Sequence, residues 1–200
     1  MVESNISQEE VLLIPEQMIK LYAMGAFPMT DGITGKIEWY CPETRTIIPL
    51  DNFHLPRSLK KIIKENRFEI RYDTDFLTVV KNCGNREETW ISDALIAAYL
   101  NLQRLGHIHT VEIYQNGKLV GGLYGVTYRG AFFGESMFSL VSQASKVALA
   151  HLLNRLNDKN FVVLDVQYIT EHLKMFGAKE ISFDDFTSLL RKAYLVESEF

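Results

Sequence analysis

The sequence predicts a mixed α/β fold, in which helices pack on a sheet, and three features indicate it. Short apolar or alternating segments such as RFEIRY and FVVLDVQ are typical of strands. Longer segments such as DALIAAYLNLQRL carry apolar residues at helical spacing. From Arg67 onward these patterns follow the order β-α-α-β-β-β-α-β-α-β-α, which favours helices packed on a mixed sheet.

Size and composition limit the class of protein. With 200 residues, of which 47% are hydrophobic, the chain suits one large domain or one domain plus a small one. The net charge of −4 argues against an all-basic surface for nucleic acid, although it permits a local basic patch. No apolar run approaches the roughly 18 residues of a membrane span, so no membrane association is expected. Cys41 and Cys83 form no CxxC motif and the N-terminus has no signal-peptide pattern, which favours a cytoplasmic protein with reduced thiols.

The first third of the chain reads as a small separate lobe. SQEE at residues 7–10 fits a capping box, and Pro15 begins a helix that Gly25 ends. A turn-rich stretch over residues 31–50 predicts a small irregular sheet. Ser58 is expected to cap a basic helix. We therefore predict an N-terminal lobe over residues 1–65 and a second domain over residues 66–200.

The second predicted domain has clearer signals for helix ends and turns. Thr74 and Ser92 are the predicted caps of its first two helices. Asn116-Gly117 is the strongest hairpin signal in the chain, and Arg129-Gly130 predicts a second turn. A helix over about residues 142–156, the strand FVVLDVQY, a short segment TEHLKMFGA, a strand KEIS and a helix over about residues 184–194 complete the domain.

Three polar residues stand in segments that otherwise read as buried strands. They are Glu135, Asp165 and Gln167, and burial of such groups is unfavourable unless they have partners or a task. Asp165 and Gln167 are two apart on a strand, so their side chains are expected on one face. The alternatives are that Asp165 caps the following segment and that Glu135 is a buried glutamate paired with a structural arginine.

Several common chemistries have no motif here. There is no Walker loop, no GxGxxG after a strand and no GxSxG elbow. The glycines of residues 121–125 lie within a hairpin strand, where close backbone packing or a bulge is the simpler explanation. His107 and His109 have no partner at ligand spacing, so no metal is expected.

Nine segments, in order from about residue 15 to 188, together resemble the leucyl/phenylalanyl-tRNA–protein transferases of bacteria. They are YAMGAFPM, WYCPETRTIIPL, FHLPRSLKK, ETWI, LVGGLYGV, FFGESMFS, QASKVAL, LDVQ and HLKMFGA. The resemblance implies a GNAT-like acyltransferase domain behind a small N-terminal lobe. It implies transfer of Leu or Phe, and possibly Met, from aminoacyl-tRNA to proteins with N-terminal Arg or Lys, which creates an N-degron for protein catabolism.

The resemblance also implies roles for individual residues. Asp165 and Gln167 match the catalytic pair, and Glu135 is expected to organise the site. Trp90 and Met29 match positions that contact the terminal adenosine, although many relatives carry tryptophan where Met29 stands. The residues expected to form the aminoacyl pocket are apolar: Leu123, Phe132, Leu149, Leu152, Leu156 and Leu164.

No cofactor is expected. A GNAT enzyme that uses acetyl-CoA should carry a glycine-containing loop at a helix start, where backbone N–H groups meet the pyrophosphate. The corresponding residues 140–144 read LVSQA, without glycine. The expected acyl donor is therefore not CoA, and an ester on tRNA needs no such loop.

A basic stretch is expected to bind the tRNA backbone, because contacts to phosphates do not depend on the base sequence of the tRNA. Its residues are Arg57, Lys60, Lys61, Lys64, Arg67 and Arg71. The acceptor needs an acidic spot, which Glu135, Asp165 or the acidic C-terminal tail could supply. Two other functions stay open: an aminoacyl-tRNA-dependent cell-wall peptide ligase and a non-catalytic tRNA-binding module.

Overall fold

The computed structural model describes residues 11–200, so the predicted capping box at residues 7–10 lies outside the described part. The helices are α1 (Pro15–Ala23), α2 (Arg57–Lys64), α3 (Phe76–Gly84), α4 (Asp93–Arg104), α5 (Ala144–Asp158), α6 (Glu171–Lys174) and α7 (Phe183–Ala193). The strands are β1 (Phe27–Thr30), β2 (Ile37–Tyr40), β3 (Thr44–Ile48), β4 (Glu69–Tyr72), β5 (Ile108–Gln115), β6 (Lys118–Tyr128), β7 (Ala131–Ser139), β8 (Val163–Gln167) and β9 (Lys179–Ser182). From residue 67 onward this order is the predicted one.

Seven strands form one mixed sheet in the order β4-β5-β6-β7-β8-β3-β9, and β1 and β2 form a separate ribbon. Among the paired strands of residues 11–200, β7 and β8 are parallel and the other pairs are antiparallel. The connection between β7 and β8 contains α5, as a parallel pair requires. The predicted mixed α/β class, with helices packed on the sheet, is confirmed.

Strand β3 connects the N-terminal part of the chain to the main sheet. It pairs with β8 on one side and with β9 on the other, so it is an interior strand. The predicted division near residue 65 stays a prediction. In the structure β3, which precedes this point, lies between two strands that follow it.

The two faces of the sheet carry two hydrophobic cores. Consecutive residues of β7 alternate between them: Phe133 packs in the core with α1, α3 and α4, and Phe132 packs in the core with α2 and α5. Both rings are fully buried. Helices thus cover both faces of the sheet. None of the helices in the described chain has the length and apolar character needed to cross a bilayer.

The hairpin signals are confirmed. Asn116 and Gly117 both have positive φ, +51° and +72°, as a type I′ turn requires. The close-packing explanation for the glycine-rich segment also holds. A Cβ on Gly125 would lie 2.4 Å from the carbonyl oxygen of Phe133, and a Cβ on Gly121 would lie 2.5 Å from the Cβ of Ala144. The β6–β7 register shifts next to Gly125, which is the irregularity that such a glycine indicates.

Two predicted caps are wrong and one is confirmed. Ser92 caps α4, accepting the N–H of Leu95. Asp75 rather than Thr74 caps α3, because Thr74 instead donates its hydroxyl to the buried carboxylate of Glu112. Helix α2 begins one residue before Ser58, with Pro56 at its cap position and no side-chain cap.

Candidate active site

Two neighbouring strands part and open a pocket between them. β7 and β8 pair through three positions, from Ala131–Val163 to Phe133–Asp165. The residues that follow these pairs, Gly134 onward on β7 and Val166 onward on β8, line a cavity of about 430 Å³. Helix α5 of the crossover and the neighbouring strand β6 contribute further lining residues.

One side of this pocket is an apolar wall, formed by Leu123 on β6, Met137 on β7, Leu149 and Leu152 on α5, and Leu164 on β8. Four of these five residues were predicted to lie in the pocket from the sequence. Met137 was not, although it follows the GES motif directly. A wall of this kind accepts an apolar side chain and offers it no hydrogen bond.

Two residues predicted for the pocket do not line it. Phe132 and Leu156 are fully buried in the same hydrophobic core as the apolar wall. The ring of Phe132 lies 5.7 Å from that of Phe200. These two side chains support the wall through packing rather than by contact with the cavity.

Asp165 forms a buried ion pair that the sequence did not predict. Its Oδ1 accepts a hydrogen bond from Nε of Arg45 at 2.8 Å, and its Oδ2 accepts one from Nη2 at 2.5 Å. Both side chains are fully buried. Arg45 belongs to β3, whose residue Ile47 pairs with Asp165 across the sheet. Asp165 therefore does not reach the pocket surface.

Gln167 does line the pocket, because the strand is irregular at this point. Its φ is +57°, in the left-handed region, and its backbone N–H donates to Oδ1 of Asp165 at 3.0 Å. The expectation that Asp165 and Gln167 share one face is therefore wrong: Gln167 follows Val166 into the pocket lining, and Asp165 points to Arg45. The contact from Asp165 to the N–H of Gln167 agrees with the alternative in which Asp165 caps the following segment.

Glu135 lies in the pocket lining and is held by two tyrosines. Tyr22 donates to Oε1 and Tyr99 donates to Oε2, each at 2.8 Å, and the two hydroxyls lie 3.1 Å apart. Burial raises the pKa of Glu135 to about 7, against the lowering effect of the hydroxyls of Tyr99 and Tyr22. The nearby charge of Asp165 raises it further. The alternative in which Glu135 pairs with an arginine is wrong, since its hydrogen-bond partners are tyrosines.

Three buried polar atoms of the pocket residues have no hydrogen-bond partner within residues 11–200. They are the hydroxyl of Tyr124, Nε2 of Gln167 and Nε2 of His172. Burial, and then the charge of Lys146, lower the pKa of His172, which favours the neutral imidazole. Because buried polar atoms normally have partners, these three atoms require an explanation, and a polar ligand bound in the pocket is one that fits them.

The pocket lining also includes an aromatic ring stacked with a cation. The guanidinium of Arg86 lies 5.0 Å from the centroid of Trp90 and donates to Oγ of Ser136 at 2.8 Å. Trp90 was predicted to contact an adenosine. Met29 lies on β1, opposite Glu38, and packs against the first hydrophobic core. It is not among the residues that line the pocket.

The predicted basic stretch divides into two groups. Arg57, Lys60, Lys61 and Lys64 surround a shallow surface depression on α2. Arg67 pairs with Glu65, and Arg71 pairs with Glu69 at 2.7 Å. The first group therefore offers the cations that are available to a phosphate backbone. Residues 11–200 contain no cluster of three His, Cys, Asp or Glu side chains that could hold a metal ion.

The site therefore combines a wall for an apolar side chain with amide, hydroxyl and carboxyl groups, on a mixed sheet whose strands part. This arrangement suits an acyltransferase, which binds an acyl group by its side chain and polarises its carbonyl. The family model described as leucyl/phenylalanyl-tRNA protein transferase matches residues 47–191, and the model of its N-terminal domain matches residues 13–43. The chain belongs to this family and is an aminoacyltransferase.

Curated relatives agree with this assignment. A leucyl/phenylalanyl-tRNA–protein transferase of Salinibacter ruber is 45% identical over 181 residues, which cover 90% of this chain and 80% of the relative. One of Gloeobacter violaceus is 44% identical over 190 residues, covering 95% of this chain and 98% of the relative. Among solved structures, an aminoglycoside acetyltransferase from a soil metagenome aligns at a TM-score of 0.42 and 13% identity, over 65% of this chain and 88% of its own.

Sequence reasoning missed Arg45, Tyr22 and Tyr99, which hold the predicted polar residues. Arg45 had a detectable signal, because it is a charged residue within the strand-like segment TRTIIPL. The two tyrosines had none, since each stands on the apolar face of a helix, where a tyrosine packs like any other aromatic residue.

Proposed function

We propose that this chain transfers an aminoacyl group from charged tRNA to the α-amino group of an acceptor protein. The observation that carries the proposal is the apolar wall next to the unpartnered amide of Gln167. In this arrangement the donor's side chain packs on the wall, and its ester carbonyl lies within reach of Nε2 of Gln167. Phe132 and Leu156 keep the wall in place from the core.

The apolar wall supports selection of Leu, Phe and Met as donors. Five flexible or branched apolar side chains form it, and the wall itself offers no polar atom to a donor side chain. A smaller donor such as Val leaves part of the wall without contact, which costs about 1–3 kcal/mol for each missing methylene. Charged donor side chains are disfavoured by their desolvation.

The reaction is aminolysis of an ester. The nitrogen of the neutral α-amino group attacks the ester carbon, a C–N bond forms, and the bond from that carbon to the ribose oxygen breaks. The nitrogen loses one proton and the leaving ribose oxygen gains one, so atoms and charge balance. Gln167 stabilises the developing oxyanion through its amide N–H. Both oxygens of Asp165 are engaged by Arg45, so we assign the proton to the leaving oxygen rather than to Asp165.

The tRNA is held at two places in this proposal. Trp90, stacked on Arg86, packs against the terminal adenosine, and Met29 contributes an apolar contact from the neighbouring ribbon. The four cations of α2, which are Arg57, Lys60, Lys61 and Lys64, bind the phosphate backbone, and Arg67 and Arg71 contribute less because each has an acidic partner.

The acceptor proteins are those with N-terminal Arg or Lys, as the family relationship suggests. Among the carboxyl groups considered for the acceptor, Glu135 lines the pocket and Asp165 does not. The product carries an N-terminal Leu or Phe and is directed to degradation as an N-degron substrate. Since charged tRNA is used for translation in the cytoplasm, we place the reaction there.

A transfer assay tests the proposal. Labelled Leu-, Phe-, Met- and Val-tRNA are each mixed with peptides that begin with Arg, Lys or Ala. Transfer of Leu and Phe to the Arg and Lys peptides is expected, with little transfer of Val or to Ala. Gln167→Ala should lose at least about 100-fold in turnover while it retains tRNA binding. Transfer to a cell-wall precursor instead, or tRNA binding without turnover, would favour the two alternative functions.

A further inference from the structure

The fully buried pair of Arg45 and Asp165 is linked to the pocket through Oδ1 of Asp165, which accepts the backbone N–H of Gln167. The guanidinium of Arg45 lies between the rings of Phe27 and Phe186, 4.5 and 4.9 Å from their centroids, and binds both oxygens of Asp165. A buried ion pair is weak evidence for stability, because apolar residues of similar volume often do as well. Stability alone therefore does not account for this pair, and we consider which neighbouring group it orients.

The pair contacts the backbone of Gln167, whose conformation is unusual. A glutamine at φ +57° is in a conformation that non-glycine residues rarely adopt, and such residues persist where their surroundings fix them. The backbone N–H of Gln167 donates to Oδ1 of Asp165, the same oxygen that binds Nε of Arg45. A regular strand conformation at this residue would break that contact and turn the amide side chain away from the pocket.

We propose that Arg45 is a positioning residue of the reaction: through the carboxylate of Asp165 it fixes the backbone of Gln167, and thereby the amide that faces the donor ester. The inference rests on the proposed function for the catalytic role of the Gln167 amide. Arg45 and Asp165 orient Gln167 and take no part in the proton transfer. Of these three residues, only Gln167 contacts the substrate.

The proposal distinguishes two roles for Asp165 through an isosteric replacement. If Asp165 were the base, Asp165→Asn would be as inactive as Asp165→Ala. If Asp165 holds an N–H, the amide oxygen of asparagine still accepts it. Arg45→Met leaves a buried carboxylate without its partner, and adding Asp165→Asn to Arg45→Met removes that charge. The double variant should therefore be more active than Arg45→Met alone.

The experiment measures turnover, KM for charged tRNA, thermal unfolding and hydrogen exchange at the Gln167 amide. The variants are Arg45→Met, Arg45→Lys, Asp165→Asn, Asp165→Ala and the double variant. Arg155→Met is the matched control, since this guanidinium also lies between two rings, Tyr72 and Phe200, but forms no ion pair with a carboxylate of residues 11–200.

We expect Arg45→Met to lower turnover about 100-fold, as for a reacting group displaced by about 1 Å. KM should change less than about threefold, and exchange at Gln167 should become faster. The double variant should recover about tenfold, because it no longer buries a carboxylate without its partner. Arg155→Met should match wild type in turnover and in Gln167 exchange.

Three results would overturn the inference: wild-type turnover in folded Arg45→Met, unchanged exchange at Gln167, or a double variant no better than the single one. If Arg45→Met does not fold, Asp165→Asn against Asp165→Ala provides the same comparison. If wild type transfers nothing, the proposed function fails, while the exchange measurement still decides whether Arg45 fixes Gln167.

Discussion

The carboxyl group of Glu135 provides the sharpest prediction about the electrostatics of the site. Replacing it in the variant Glu135→Gln keeps the shape and removes the ionisation. The three contacts among Glu135, Tyr22 and Tyr99 can form a closed ring when the carboxyl is protonated: Glu135 donates to Tyr22, Tyr22 to Tyr99, and Tyr99 back to Glu135. A glutamine side chain donates and accepts in the same directions, so it reproduces the neutral state of the ring.

The magnitude follows from the pKa of Glu135, which rises from an ordinary 4.5 to about 7, chiefly because of burial. A carboxyl group whose pKa is raised by folding is more easily protonated in the folded state. Its contribution to stability is fully present below pH 4.5 and is lost as the pH rises through 7. At about 1.4 kcal/mol for each pKa unit, the loss amounts to roughly 3 kcal/mol, of which about 2.5 falls between pH 5 and 8.

Urea unfolding of wild type and Glu135→Gln at several pH values tests this prediction. The free energy of unfolding of wild type, relative to the variant, should fall by about 2.5 kcal/mol between pH 5 and 8. Glu38→Gln is the matched control, because Glu38 also accepts a tyrosine hydroxyl, from Tyr40 at 2.9 Å, but is exposed. A difference between wild type and Glu135→Gln that stays constant within about 0.5 kcal/mol would refute the reasoning.

Three further predictions concern the wall, the sheet and the basic helix. Leu152→Ala and Leu153→Ala should each cost about 2–5 kcal/mol of stability. Only Leu152→Ala should favour Phe over Leu as donor, because only Leu152 lines the pocket. Equal ratios of Phe to Leu transfer in the two variants would contradict this. Gly125→Ala should destabilise the protein by about 1–3 kcal/mol or more, since its Cβ would lie 2.4 Å from a backbone oxygen. Gly32→Ala should not, because the space around Gly32 is open. Melting temperatures of the two variants, each compared with wild type, test this difference. Lys60→Gln should reduce the salt dependence of tRNA binding by about one phosphate contact, and an unchanged slope of affinity against salt would exclude its contact with the backbone.

Local patterns were sufficient for the elements of the fold, because each element is specified by residues close together in sequence. The hairpin at Asn116-Gly117 needs two residues that tolerate positive φ, and α4 needs a capping serine and an apolar face. Four leucines of the apolar wall were also expected in the pocket, because they stand in or near the segments that resemble the family, and all four line the cavity. Phe132 and Leu156 were assigned to the wall because a sequence cannot separate a lining residue from the core residue behind it.

The contacts that orient the polar residues could not be predicted, because they join distant segments. Glu135 depends on Tyr22 and Tyr99, which are 113 and 36 residues away. Asp165 depends on Arg45, which is 120 residues away. The left-handed backbone of Gln167 has no sequence signal, since glutamine has no preference for it. Two contacts accompany it in the structure: the N–H of Gln167 donates to Oδ1 of Asp165, and the N–H of Tyr168 donates to the carbonyl of Val166.

Through Tyr22 and Arg45 the N-terminal part of the chain contributes to the site, which yields a final prediction. A fragment of residues 66–200 lacks β3, the interior strand between β8 and β9, and lacks both Tyr22 and Arg45. Its exposed strand edges and the unpaired charge of Asp165 should prevent cooperative folding. Circular dichroism during thermal unfolding would reveal this as a broad transition without a baseline. A sharp transition in the isolated fragment, as in the full chain, would instead support an independent domain that begins near residue 66.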